Sequence, residues 1–152
     1  MSDAAVDLEA LLARLPHGAP MRLVERLDSV EPGRAAVARR TARAGDWYFQ
    51  GHFPGEPIVP AVVLIELVAQ TGGLAAASSP DTAGVPLRLR LAGVHSFKFP
   101  AAATPGCELV ATAHVKGRLG GLLRIDGEVT ADGRLVASGS LTLADAPPES
   151  PP

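Results

Sequence analysis

The run from Ile58 to Ala77 constrains this chain most. It is apolar at every helical angle, and Glu66 is its one charged residue. Gln70, the pair Gly72–Gly73 and an early Pro60 also mark it. A membrane span needs about 20 predominantly apolar residues and rarely carries a charge. The run therefore predicts a helix over 60–77 buried inside protein, with Pro60 in the first turn, where its missing N–H costs nothing. A helix that is greasy on every side must be wrapped by something else in the chain.

The flanking segments read as that wrapping. Leu8, Leu11, Leu12 and Leu15 share one helical face, which predicts a short amphipathic helix over Asp3–Leu15, capped by Ser2 or Asp3 and ended by Pro16. Met21–Val30 and Arg34–Ala42 read as strands around the turn Glu31-Pro32-Gly33. Residues 45–60, rich in Gly, Pro and aromatics, read as an ordered loop, and Ser78-Ser79-Pro80-Asp81 ends the long helix. Beyond it, Leu87–Leu91, Phe97–Phe99, Cys107–Val115, Leu122–Val129 and Leu135–Leu143 are strand candidates. Their turns are Gly117–Gly121 and Asp132-Gly133, the latter a strong hairpin signal. Strands do not alternate with helices, so a parallel α/β sheet is excluded. The economical solution is an α+β domain over 1–145, a curved antiparallel sheet wrapped around one long helix, with a disordered Pro-rich tail at 146–152.

The 14 basic and 16 acidic side chains nearly cancel. That balance argues against nucleic acid as a partner, since phosphate binding needs a basic stripe. A single cysteine, Cys107, excludes an internal disulfide and a Cys-based metal site, and in a strand-like stretch it reads as a packed thiol. The acidic N-terminus lacks the basic-then-apolar order of a signal peptide, so a cytoplasmic location is expected.

Glu66 carries the most information about chemistry. On a dry helix an unpaired carboxylate is costly, so the group must find a partner or hold a proton. Val62, Glu66 and Gln70 fall at i, i+4, i+8 and line one side of the rod. Two readings stand side by side: a working carboxyl, or one hydrogen-bonded at a subunit seam. His52 lies in Gly51-His52-Phe53-Pro54-Gly55, where small residues and prolines hold the chain. Four of the six aromatics, Trp47, Tyr48, Phe49 and Phe53, surround it in sequence and could keep the imidazole neutral, as a base requires. The other reading is a histidine packed among rings. No Gly-x-Ser-x-Gly elbow, phosphate loop or dinucleotide fingerprint is present, which points to acid–base rather than covalent chemistry. His95 and His114 have no constellation around them, and no ligand spacing supports a metal.

The stretch from Gly51 to Gln70 resembles the FabZ-type 3-hydroxyacyl-[acyl-carrier-protein] dehydratases, whose pattern is close to G-H-F-P-x-x-P-x-M-P-G-V-x-x-x-E-x-x-A-Q. His and Glu are fourteen positions apart in that pattern, as they are here. Leu15-Pro16-His17 to Arg26, Phe97-Lys98 and Pro105-Gly106 resemble flanking family segments, so the likeness spans about residues 11–144. The resemblance implies a hotdog fold and dehydration of a (3R)-hydroxyacyl thioester on acyl carrier protein to the trans-2-enoyl thioester. His52 would be the base at C2, and Glu66 the acid for the leaving hydroxyl. The backbone N–H of Ala61 would face the thioester oxygen, with Gln70 in support. Phe49, Phe53 and Val62 would line the acyl tunnel, and Arg88, Arg90 and Lys98 would offer a basic face to the carrier. No metal or organic cofactor is implied. A homodimer pairing His of one subunit with Glu of the other is implied, or a hexamer built as a trimer of dimers.

The chain departs from the pattern in places. Ala61 stands for Gly, Val59 for Met, Gly18-Ala19 for Arg-Tyr, Met21 for Phe and Cys107 for Asp, and the 100–105 segment is about two residues longer. These leave the acid–base pair intact but open the substrate length and the pathway, fatty acid synthesis or a specialised lipid or polyene route. The competing readings are another hotdog thioester enzyme, a thioesterase or enoyl-CoA hydratase, and a non-catalytic subunit that binds acyl carriers.

Overall fold

The computed structural model describes residues 5–145. The expected caps Ser2 and Asp3 and the Pro-rich tail lie outside the described residues. Helix α1 is Leu8–Ala13, shorter than the leucine spacing predicts, because Asp7 is its cap: the Asp7 carboxylate accepts the Ala10 N–H at 3.1 Å. Strands β1 (Arg26–Glu31) and β2 (Ala35–Thr41) form the expected hairpin. A 3-10 turn over Trp47–Phe49 then leads to α2 (Ala61–Ala77), and β3 (Leu89–Lys98), β4 (Glu108–Leu119), β5 (Leu122–Ala131) and β6 (Arg134–Asp145) complete the chain. The six strands form one antiparallel sheet in the order β1-β2-β4-β5-β6-β3, and α2 packs against β4, β2, β5 and β6.

Several boundaries differ from expectation, each for a physical reason. Pro60 is the N-cap of α2 rather than a first-turn residue: its ψ of 141° is extended, and the helix starts at Ala61. The first turn of α2 is not wrapped, since Ala61 and Val62 are exposed, while Leu67 through Ala77 are buried. Residues 21–25 were expected in strand, yet β1 begins only at Arg26. The N–H groups of Leu23 and Val24 are taken by the Gln70 side-chain oxygen, at 2.9 and 3.4 Å, rather than by a neighbouring strand. The two segments 87–91 and 97–99 merge into the single strand β3. It runs unbroken through two register shifts against β6 and a positive φ of 51° at Ser96. Strand β4 runs on to Leu119, so the turn into β5 is only Gly120-Gly121. Asp132 and Gly133 both have positive φ, 47° and 84°, as a two-residue hairpin with Asp-Gly requires.

The core joins Leu67, Val68 and Leu74 of α2 to Leu109, Ala111, Ile125 and Leu141 of the sheet. Helix and sheet approach closely at Gly127. A methyl group there would overlap Val68 Cγ1 and stand 3.1 Å from the Thr112 carbonyl oxygen. Gly127→Ala is therefore expected to destabilise the fold by about 1–3 kcal/mol through overpacking, measured by denaturant unfolding of the variant against the parent.

Candidate active site

Glu66 and Gln70 sit one helical turn apart on α2, and Gln70 is buried among the segments that run toward β1. Its side chain makes four bonds there. The amide oxygen accepts from Leu23 and Val24, and the amide nitrogen donates to the Met21 carbonyl at 2.8 Å and to Glu66 Oε1 at 3.0 Å. This one residue ties the 21–24 segment to the helix and fixes one oxygen of the candidate carboxyl. Gln70→Leu leaves three backbone groups of the 21–24 segment unpaired. The variant is expected to lose about 2–4 kcal/mol of stability, read by chemical denaturation, and to release Glu66 from its orientation.

A second contact on Glu66 was not anticipated. His17 Nε2 lies 3.3 Å from Glu66 Oε1, and the other ring nitrogen, Nδ1, is buried with no hydrogen-bond partner. Both side chains are about a quarter exposed, 27% and 23%. His17 lies forty-nine residues before Glu66, so no spacing rule links the two. The only sequence signal was its place in Leu15-Pro16-His17. The Glu66 carboxyl borders a cavity of about 240 Å³ lined also by His17, Ala69, Gln70, Leu89, Arg90, Leu91 and Leu143.

His52 occupies a different place, half-buried on a small closed loop. Its N–H donates to the Phe49 carbonyl at 3.2 Å, and its carbonyl accepts the Ile58 N–H at 2.9 Å. Its ring Nδ1 lies 3.1 Å from the Ile58 carbonyl oxygen. A carbonyl can only accept, so Nδ1 carries the hydrogen, and in the neutral ring Nε2 is left with a free lone pair. Phe53 stacks on the imidazole with centroids 4.2 Å apart. The other clustered rings pack on one another: Trp47 edge-on to Tyr48, and Tyr48 against Phe49.

The Trp47 indole donates to the Pro20 carbonyl at 2.9 Å, and Tyr48 belongs to a partly buried network that braces the loop. The Tyr48 hydroxyl donates to Asp46 Oδ2 at 2.6 Å, while Arg40 donates to the Tyr48 oxygen at 3.1 Å and reaches Asp46 at 3.0 Å. Burial, and then the bond to Asp46, push the Tyr48 phenol up to about 12 against the opposing pull of Arg40. Burial alone would push Asp46 up, but the donors Tyr48, the Arg43 N–H and Arg40 outweigh it and hold the carboxyl below its ordinary range. The turn that leads into His52 is thereby anchored to β2.

The remaining expected site residues are spread out. Phe49 is buried in the core, whereas Phe53 and Val62 are exposed, 52% and 71%. Arg88, Arg90 and Lys98 are exposed along and just before β3. Cys107 is a buried free thiol, and burial pushes its pKa up. His95 bonds Thr142 Oγ1 at 3.0 Å, and His114 is exposed on β4. Among the described residues no group of three or more His, Cys, Asp or Glu side chains comes together to hold a metal. No described helix is long and apolar enough to cross a membrane.

The FabA-like domain model matches residues 15–140. The chain belongs to the FabA-like family. It is 35% identical over 137 residues to a protein of Roseiflexus sp. (strain RS-1) named 3-hydroxyacyl-[acyl-carrier-protein] dehydratase FabZ, covering 90% of this chain and 94% of that one. It is 36% identical over 139 residues to a protein of the same name from Streptococcus pneumoniae serotype 4, covering 91% and 97%. Among solved structures it resembles the dehydratase heterocomplex ApeI:P from Xenorhabdus doucetiae, with a TM-score of 0.77 at 19% identity and 91% of each chain covered. The curled sheet around a central helix is the hotdog arrangement that the FabZ-type resemblance implied. Within one chain of this FabA-like protein, His52 does not line the cavity beside Glu66.

Proposed function

We propose that the protein is a dehydratase acting on 3-hydroxyacyl thioesters of acyl carrier protein, working as a homodimer in which His52 of one subunit faces Glu66 of the other. The observation that carries this reading is a pair of complementary hydrogen-bond commitments. His52 spends its one hydrogen on Ile58 and retains a lone pair. Glu66 accepts at Oε1 from Gln70, with His17 Nε2 3.3 Å from that same oxygen, and leaves Oε2 free for a substrate. A ring lone pair and a free carboxyl oxygen are the two groups that removal of one proton and delivery of another require.

In the reaction, His52 Nε2 removes the proton from C2, next to the thioester carbonyl. The electron pair flows toward the carbonyl and then forms the C2–C3 double bond as the C3–O bond breaks. Glu66 Oε2–H protonates the departing hydroxyl, which leaves as water. The imidazolium and carboxylate left behind are reset by proton transfer through the solvent that product release admits. Charge that gathers on the thioester oxygen needs a fixed donor. The N–H of Ala61, in the first turn of α2, has no partner within the helix, and the helix dipole favours an anion there. Its methyl group leaves that N–H in place.

The second subunit is supported by what one chain leaves uncovered. Phe53 and Val62 are exposed near the start of α2, and Leu91 and Val94 are exposed on β3, which is an edge strand. Exposed apolar groups on an unpaired sheet edge mark an interaction surface. A copy of this chain docked there would bring its own His52 loop toward the cavity beside Glu66, which Leu91 of β3 also lines.

The test is mass spectrometry of 3-hydroxyacyl carrier proteins incubated with the enzyme. The expected product has lost the mass of one water, and the change disappears with His52→Ala. Release of the free carrier thiol without loss of water would replace this reading with a thioesterase. No change on any substrate from a folded dimer would replace it with a carrier-binding subunit.

A further inference from the structure

We infer that His17 is a positioning residue for the proposed acid: its Nε2–H holds Glu66 Oε1 as the accepting oxygen, so that Oε2 is the oxygen that delivers the proton. The inference rests on the dehydratase reading for the role of Glu66. The contact itself rests on geometry alone.

The imidazole has one polar neighbour and one blind side. Its Nε2 lies 3.3 Å from Glu66 Oε1, and its Nδ1 is buried with no hydrogen-bond partner. A neutral ring has one hydrogen to place. On Nδ1 that hydrogen would be buried with nothing to accept it, and the Nε2 lone pair would face a lone pair of Oε1. On Nε2 it aims a donor at an acceptor and leaves a single fault, the unpaired Nδ1 lone pair. The second arrangement is the favoured tautomer. A separation of 3.3 Å is long for a hydrogen bond, and catalytic contacts are often long until substrate binds.

Gln70 identifies the same oxygen as the acceptor. Its Nε2 donates to Glu66 Oε1 at 3.0 Å, and its amide cannot turn over because the N–H groups of Leu23 and Val24 hold its oxygen. Two donors from different segments therefore converge on Oε1. When the carboxyl is protonated, its hydrogen belongs on Oε2. One donor leaves the carboxyl free to swing about that bond, whereas two fix its plane.

The segment that carries His17 is braced on both sides. Before it, the Leu15 side chain is buried, and the Arg14 guanidinium is held by the carbonyls of Ala77 at 2.7 Å, Thr82 at 3.0 Å and Val85 at 2.7 Å. After it, the Arg22 N–H donates to the Gly18 carbonyl at 3.0 Å, and Trp47 and Gln70 donate to the carbonyls of Pro20 and Met21. A histidine on so fixed a segment can hold a carboxyl in place.

The experiment measures kcat and KM on a 3-hydroxyacyl carrier protein for the parent, His17→Gln and His17→Met. Glutamine puts an amide nitrogen where Nε2 stands, and methionine fills a similar volume with no donor. In His17→Met, kcat is expected to fall about tenfold with KM within about twofold, and His17→Gln is expected to stay within about threefold of the parent. A role in packing alone would not separate these two variants. His17→Asn, whose amide stops short of Glu66, takes the place of the methionine variant if that one does not fold. In parallel, ¹⁵N NMR of the parent at neutral pH, with the His17 ring assigned by its loss in His17→Gln, is expected to show the Nε2–H tautomer. Equal losses in the glutamine and methionine variants, an unchanged kcat in His17→Met, or a ring protonated at Nδ1 overturns the inference. A parent that dehydrates no 3-hydroxyacyl carrier protein overturns the dehydratase reading instead, and the tautomer still decides the contact.

Discussion

Glu66→Gln and His52→Ala are each expected to lower kcat by about 10²–10⁴-fold while leaving the fold and KM nearly unchanged. The glutamine variant isolates chemistry from structure. An amide at 66 can still present an oxygen to the Gln70 Nε2 that Oε1 accepts from now, and to His17. The bonds of Gln70 to Met21, Leu23 and Val24 are untouched, so stability should move by no more than about 0.5 kcal/mol. What the amide lacks is an acidic proton for the leaving hydroxyl. His52→Ala removes the base and its bond to the Ile58 carbonyl, but the backbone bond from the Ile58 N–H to the residue 52 carbonyl still closes the loop. Steady-state kinetics beside thermal unfolding separates the two effects. A near-normal rate in either folded variant removes that residue from the mechanism.

The order of elements and the buried helix were legible because they rest on local patterning: a charge-poor run at helical spacing, alternating strands and an Asp-Gly turn. The candidate acid and base were legible for a related reason. A single carboxyl on a greasy helix, and a histidine held between glycines and prolines, are anomalies that a short window exposes. What the pattern concealed depends on contacts between distant residues. Met21 to Glu25 has strand composition, but Gln70, more than forty residues away, takes the hydrogen bonds that would have extended β1. Strand β3 looked like two pieces because Gly93 and Ser96 interrupt the alternation, while the backbone pairs with β6 on both sides of them. His17 was passed over because nothing in its neighbourhood is anomalous, and its significance comes only from the 3.3 Å contact that the fold creates. Of the four rings around His52 in sequence only Phe53 stacks on the imidazole, whereas Tyr48 braces the loop through Arg40 and Asp46, and Trp47 and Phe49 pack against Tyr48.

The arrangement of His52 and Glu66 leads to a result that neither single variant can give. Mixing the two inactive proteins, His52→Ala and Glu66→Gln, under conditions that exchange subunits is expected to restore activity to about a quarter of the parent level. In a symmetric dimer with shared sites, a mixed pair has one site that combines both substitutions and one that combines neither. Random exchange makes about half of the dimers mixed, and each of these carries one intact site of two. If instead each chain brought its own His52 and Glu66 together, no pairing would assemble an intact site and the mixture would stay as inactive as its parts. The prediction follows from where the groups lie. The cavity beside Glu66 is lined by Leu89, Arg90 and Leu91 of β3 but not by His52 of the same chain. Meanwhile the stacked pair His52–Phe53 stands at the surface, with Phe53 half-exposed. Under the proposed mechanism, a His52 near the surface and a Glu66 beside the cavity of the same chain would meet when a second chain supplies one of them.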